Sequence, residues 1–212
     1  MSSTRQPDLF ENDGRKAVNG AEILSGYLGV ERQKELVSLL RNITEQAPLF
    51  SPRTRFGKSM SVRMTSAGKY GWYSDGRGYR YEARHPSGAD WPEIPTEILR
   101  IWREVTKLPR DPDCCLINYY GEGARMGLHQ DRDEASFDWP VLSVSLGDDA
   151  LFRIGGADRG DPTRSIWLRS GDVLILGGTA RLAFHGVDRI RYGSSSLLPG
   201  GGRINLTLRV VD

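Results

Sequence analysis

Hydrophobic spacing changes character along this chain. Between Val30 and Ala47, the residues Leu36, Leu39, Leu40 and Ile43 recur at helical intervals, with Arg, Lys, Gln and Glu between them. This predicts an amphipathic helix, and Pro48 ends it. A second helix is predicted over Pro92–Lys107, with Ile94, Ile98, Ile101, Trp102 and Val105 on its apolar face. Pro95 falls near its first turn, where a missing N–H does no harm, and Pro109 and Pro112 close it. Between the helices, Met60, Val62 and Met64 alternate with Ser61, Arg63 and Thr65, the period of a half-buried strand. From Cys114 onward the period stays short. Strands are predicted at Cys114–Tyr120, Pro140–Leu146, Leu151–Ile154, Ser165–Leu168, Asp172–Leu176, Leu182–His185 and Arg203–Val211, separated by Gly-Asp, Gly-Gly and Asp-Pro. Many short, closely spaced strands argue for a mainly β protein with a double-sheet jelly-roll or barrel core, the two helices buttressing one sheet from outside.

The last strand alternates most cleanly. Ile204, Leu206, Leu208 and Val210 point one way, and Arg203, Asn205, Thr207 and Arg209 the other. The polar row faces either water or the interior of a barrel. Six residues of strand separate its two arginines by about 20 Å, too far to grip one carboxylate together. A dicarboxylate lying along the row could still engage one or both.

Composition narrows the class. The chain has 212 residues, 38% hydrophobic and 26% charged, enough for one sizeable core or a core with an appended lobe. Its 25 glycines suit a β core with many tight turns. No apolar run reaches the length of a membrane span, and Met1 to Arg15 is polar rather than signal-like. A cytoplasmic protein away from membranes is expected, and, with no coiled-coil or large apolar stripe, a monomer. The segment up to about residue 20 is expected to be loose. Cys114 and Cys115 are adjacent and would face opposite sides of a strand, so neither a disulfide nor a zinc site is expected.

A net charge of +2 does not by itself announce a nucleic-acid partner, but the charge is uneven. Residues 50–84 carry Arg53, Arg55, Lys58, Arg63, Lys69, Arg77, Arg80 and Arg84 against only Asp75 and Glu82. Tyr70, Trp72, Tyr73, Tyr79 and Tyr81 are interleaved, with turns at Gly68, Gly71, Gly76 and Gly78. Cations for phosphates and ring faces for bases suit a single-stranded nucleic acid. A solvated hairpin whose aromatics cover the core edge fits the pattern equally well.

The candidate chemistry centres on His129-Gln130-Asp131. On extended backbone, residues two apart share a side, so His129 and Asp131 aim at one point. Only His85, in a Pro/Gly-containing loop, and His185, in a short predicted strand, remain as further imidazoles. Two His and one Asp form the facial triad of non-haem Fe(II) oxygenases. His-x-Asp alone is common and equally describes a charged surface turn. A distal His on a separate strand and the two-arginine strand raise the odds of a metal centre.

Taken together, Asn118-x-Tyr120, His129-x-Asp131, His185 and Arg203-x-Asn205-x-x-x-Arg209 resemble the AlkB family of Fe(II)- and 2-oxoglutarate-dependent nucleic-acid dealkylases. Leu116-Ile117-Asn118, Val144-Ser145-Leu146-Gly147, Gly171-Asp172-Val173, Gly71-Trp72, Gly78-Tyr79-x-Tyr81 and the N-terminal Asp8-Leu9-Phe10 extend the likeness over nearly the whole chain. The resemblance implies a single domain over 1–212. Helices and a nucleotide-recognition lid would occupy 20–112, and a double-stranded β-helix core 113–212. It implies Fe(II) on His129, Asp131 and His185. It also implies 2-oxoglutarate held at its distal carboxylate by Asn118, Tyr120 and Arg203, with Arg209 and Asn205 near the carboxylate that is lost. Trp72 would stack on a flipped base opposite His129, Tyr79 and Tyr81 would hold backbone or base, Asp133 would read the exocyclic amine, and Arg159 would reach in from the far rim. The implied reaction is O2-dependent demethylation of bases of the 1-methyladenine and 3-methylcytosine type, releasing formaldehyde, succinate and CO2. Its substrates would be single- or double-stranded DNA, with RNA as a further class. Such lesions are cationic near neutral pH, which independently favours a carboxylate and an aromatic face around them. The alternatives are a 2-oxoglutarate hydroxylase of a protein or small molecule, which needs neither Trp72 nor Asp133, a non-catalytic nucleic-acid-binding jelly-roll, which needs no triad, and a zinc-bound structural cupin. Arg189 to Gly202, rich in Ser and Gly, falls outside the resemblance and is expected to be loose.

Overall fold

The computed structural model describes residues 14–54 and 56–212, so the Asp8-Leu9-Phe10 motif and Arg55 lie outside it. Strands β1 (Arg15–Val18) and β2 (Ala21–Leu24) form a hairpin, followed by helix α1 (Val30–Gln46). Strands β3 (Val62–Gly68), β4 (Gly71–Asp75) and β5 (Gly78–Glu82) precede helix α2 (Thr96–Thr106). The remaining strands are β6 (Cys114–Tyr120), β7 (Met126–His129), β8 (Val141–Gly147), β9 (Asp149–Ile154), β10 (Arg164–Leu168), β11 (Val173–Leu176), β12 (His185–Arg191) and β13 (Arg203–Arg209).

They assemble into a seven-stranded sheet, ordered β1-β2-β11-β8-β13-β6-β3, facing a four-stranded sheet, β10-β9-β12-β7. Every strand pairing within them is antiparallel. This is the predicted jelly-roll. Period-2 alternation sorts the large sheet's two faces. Ile117, Leu142, Val144, Leu206 and Leu208 pack outward onto Leu36, Leu40 and Ile43 of α1 and Ile98, Ile101 and Trp102 of α2. Leu116, Val141 and Leu174 face inward onto Phe152 and Ile154 of the small sheet. The polar row of β13 therefore points into the barrel: Arg203, Thr207 and Arg209 are buried, and Asn205 is half-buried.

Three expectations are corrected. The segment before residue 20 is in part a strand hairpin rather than loose chain. Asn19 and Gly20 both have positive φ (45° and 81°), the two-residue turn whose twist matches paired strands, and Asn-Gly is its usual sequence. Second, the strand expected at Leu182–His185 instead begins at His185 and runs to Arg191, because β9 and β7 pair with it there. Third, the predicted loose segment from Arg189 starts as strand, and the following loop is tied to the buried carboxylate of Asp148. β2 and β3, which precede residue 112, are hydrogen-bonded to β11 and β6, so the N-terminal part is woven into the core sheet. Only the β4–β5 hairpin stands apart as its own two-stranded sheet.

Candidate metal centre and active site

His129 ends β7 and His185 opens β12, and the two are directly paired across the strands. Asp131 lies just beyond β7. The candidate ligand atoms of His129, Asp131 and His185 lie within 4.8 Å of one another. Each imidazole Nε2 sits 3.7 Å from an Asp131 carboxylate oxygen. Each Nδ1 is 2.9 Å from a backbone carbonyl, Gly127 for His129 and Ala183 for His185. A carbonyl only accepts, so Nδ1 carries a proton and Nε2 is the nitrogen turned inward, the orientation a metal ligand needs. Burial pushes the His185 pKa down to about 4, which keeps this ring neutral. Burial pushes Asp131 the other way, but Arg209, His185, His129 and Arg181 outweigh it and hold the carboxyl below its ordinary range. Two imidazoles and one carboxylate, open on one side, fit a divalent first-row metal. His85 is no part of this. Its nitrogens contact Ser87 Oγ (2.7 Å) and the Pro48 carbonyl (2.9 Å), and its ring packs edge-on to Trp91.

The triad opens into a cavity of about 580 Å³ between the sheets. Its wall includes Asn118, Tyr120, Arg203, Asn205 and Arg209 on the large sheet, and Trp72, Tyr79, Asp133 and Arg159. Register explains the polar wall: Arg203 pairs with Tyr120, and Asn205 with Asn118. Arg203 is the telling residue. It is 1% exposed, and its Nη2 donates to Ser145 Oγ at 2.8 Å, but Nε and Nη1 have no hydrogen-bond partner among the described residues. Asn118 Oδ1 is likewise unpartnered. Desolvation lowers the Arg203 pKa to about 10, so the group still carries its charge at neutral pH. A buried, unpaired guanidinium is costly unless an anion completes it, and the carboxylate of 2-oxoglutarate fits that need.

At the opposite side, Trp72 Nε1 donates to Asp133 Oδ2 at 3.0 Å. Tyr79 stacks on Trp72, with centroids 5.4 Å apart and planes 20° from parallel. Arg159 lies over the Phe184 ring, 4.9 Å from its centroid. Tyr81 alone among the predicted site residues is not in the cavity wall. Its hydroxyl donates to Glu134 Oε1 (2.6 Å) and accepts from Arg209 Nη1 (3.0 Å).

That contact exposes what sequence reasoning missed. Glu134 and Arg181 are both buried. The Glu134 carboxylate meets Arg181 Nη2 at 3.0 Å and Arg209 Nη1 at 3.1 Å. Arg181 also donates to the Asp131 carbonyl (2.6 Å) and the Trp139 carbonyl (2.8 Å). Arg209 Nη2 lies 2.8 Å from Asp131 Oδ1. The network thus fixes a metal ligand through both its backbone and its side chain. Glu134 follows three charged residues, Asp131-Arg132-Asp133, and nothing in its spacing sets it apart.

Residues 20–209 match the family model of the 2OG-Fe(II) oxygenase superfamily. An alpha-ketoglutarate-dependent dioxygenase AlkB homolog of Caulobacter vibrioides is 58% identical over 193 residues, covering 91% of this chain and 88% of that protein. The alpha-ketoglutarate-dependent dioxygenase AlkB of Escherichia coli is 35% identical, over 90% and 89% of the two chains. The solved structure of OsALKBH1 superposes with a TM-score of 0.81 at 30% identity, over 92% of this chain and 99% of that one. On these similarities, this chain belongs to the AlkB family of Fe(II)- and 2-oxoglutarate-dependent dioxygenases.

Proposed function

We propose that this protein demethylates N-alkylated bases in DNA, of the 1-methyladenine and 3-methylcytosine type, with RNA as a second substrate class. One observation carries the reading: a single cavity joins the triad, the unpaired Arg203 and the Trp72–Asp133 pair. A protein or small-molecule hydroxylase has no use for the last of these. His129, Asp131 and His185 would hold Fe(II), and Arg203 with Asn118 and Tyr120 would hold the distal carboxylate of 2-oxoglutarate. With both bound, the site would supply O2-dependent hydroxylation of an N-methyl group, whose carbon would leave as formaldehyde. Arg209 and Arg181 keep Asp131 ionised and oriented. Trp72 offers a ring face and Asp133 a negative charge, both of which favour a cationic methylated base over its neutral parent. A methyl on the pairing edge weakens the duplex, which eases extrusion of that base. Tyr79 rests on the Trp72 ring, so an entering base must share or displace it. We take the protein to act as a monomer in the cytoplasm; among the described residues no helix is long and apolar enough to cross a membrane.

The test is a short single-stranded oligonucleotide bearing one 3-methylcytosine, incubated with protein, Fe(II), ascorbate and 2-oxoglutarate and followed by mass spectrometry. Loss of 14 mass units, about one methylene by formula, with matching formaldehyde and dependence on both iron and 2-oxoglutarate, is expected. Succinate formation without methyl loss would discard this substrate class.

A further inference from the structure

We propose that Asp148 is a positioning residue for the co-substrate, holding the backbone that carries Arg203. This rests on the reading that Arg203 binds a carboxylate of 2-oxoglutarate. Asp148 is fully buried in the turn between β8 and β9. Among the described residues, no cationic side chain pairs with its carboxylate. It accepts backbone N–H bonds from Gly193 (3.0 Å) and Gly202 (2.8 Å) on Oδ2, and from Ser195 (2.9 Å) on Oδ1. Its own N–H donates to the Gly202 carbonyl at 2.9 Å. Asp148 thus binds both polar backbone atoms of Gly202, one residue before Arg203.

The surroundings leave Gly202 little alternative. Its φ is +92°, and an added Cβ would stand 2.7 Å from the Tyr120 carbonyl oxygen. Tyr120 is the register partner of Arg203. The reason for so firm an anchor lies in Arg203 itself. A buried guanidinium with two unpartnered nitrogens gains by moving toward any acceptor, so its empty-handed geometry persists only if the backbone beneath it is held. A buried carboxylate satisfied by several N–H groups provides that hold without placing a counter-charge next to Arg203 that would compete with the incoming anion. A neutral side chain would close the same turn; only an acceptor with two oxygens gathers Gly193, Ser195 and Gly202 at one point.

The test compares Asp148→Asn, Asp148→Ala and Arg203→Lys with the parent protein. The asparagine amide turns one acceptor oxygen into a donor that faces backbone N–H groups, a local change that keeps the volume. The dissociation constant for 2-oxoglutarate is read by tryptophan fluorescence on Mn(II)-loaded protein, where no turnover occurs. KM and kcat are read on the Fe(II) enzyme, and amide hydrogen exchange is followed across 192–203. In Asp148→Asn, we expect the 2-oxoglutarate constants to rise on the order of tenfold, the scale of one lost buried hydrogen bond. Oligonucleotide KM and Mn(II) affinity should hold at parental values while exchange in 192–203 quickens. Asp148→Ala should go further in the same direction. Faster exchange with a parental 2-oxoglutarate constant would overturn the proposal, as would a loss fully accounted for by a smaller folded fraction. A parental constant in Arg203→Lys would instead overturn the reading beneath it, whatever Asp148 does.

Discussion

Arg209 Nη2 lies 2.8 Å from Asp131 Oδ1, so the arginine expected beside the co-substrate is bound to a candidate metal ligand. Its other terminal nitrogen, Nη1, reaches Glu134 and Tyr81. Groups that orient metal ligands commonly change affinity by about 10–100-fold when removed. Arg209→Ala is therefore expected to weaken Fe(II) or Mn(II) binding by a factor in that range, as well as raising KM for 2-oxoglutarate. Metal titration without 2-oxoglutarate separates the two effects. Unchanged metal affinity would confine Arg209 to the co-substrate.

Glu134 sits between Arg181 and Arg209, and the pairs are buried on both sides. Removing one partner of a buried ion pair strands the other charges, at about 3–5 kcal/mol. Glu134→Gln keeps the shape and removes the charge. Urea unfolding should show a loss approaching that range, while Glu31→Gln, in an exposed i,i+3 pair with Lys34, should be near neutral.

Asp133 holds the Trp72 indole through Oδ2 and lines the cavity. If its charge selects cationic bases, Asp133→Asn should lower kcat/KM for 3-methylcytosine by about 10–100-fold, the scale of a hydrogen bond to a charged group. Turnover of 3-methylthymine, which is neutral, should change far less. Equal losses on both lesions would make Asp133 a prop for Trp72 alone, and Trp72→Phe would then reproduce the effect.

Cys114 and Cys115 are buried free thiols. Burial pushes Cys114 up to about 12 from 9.0, and Cys115 well above its ordinary value. The neutral thiol is the form the fold favours. Above pH 9 the unfolded chain releases these protons while the folded chain retains them, so stability falls as pH climbs from 9 toward 12. Native protein should resist thiol-alkylating reagents at pH 8 and react with two equivalents once unfolded. Rapid labelling of native protein would place a thiol at the surface.

The sequence by itself determined the local periods and the chemistry attached to them. Leu36, Leu40 and Ile43 announce α1 because a helix has one turn and one face. The alternation in β13 gave Arg203 and Arg209 a common side, and His129-x-Asp131 marked one half of the metal centre. The β1–β2 hairpin also has a local signal, Asn19-Gly20, set in a polar stretch. Tertiary structure alone decided what those sides face. Strand alternation defines two faces but not which is covered, so only the closing of the small sheet over the large one turned the polar row of β13 into a cavity wall. His185 joined His129 through pairing across β7 and β12, a relation between residues 56 apart by numbering that no local pattern encodes. No local pattern in the sequence sets Glu134, Arg181 or Asp148 apart from other charged residues. Burial converted them into fixed parts of the site, because a charge removed from water must find its partners in the protein.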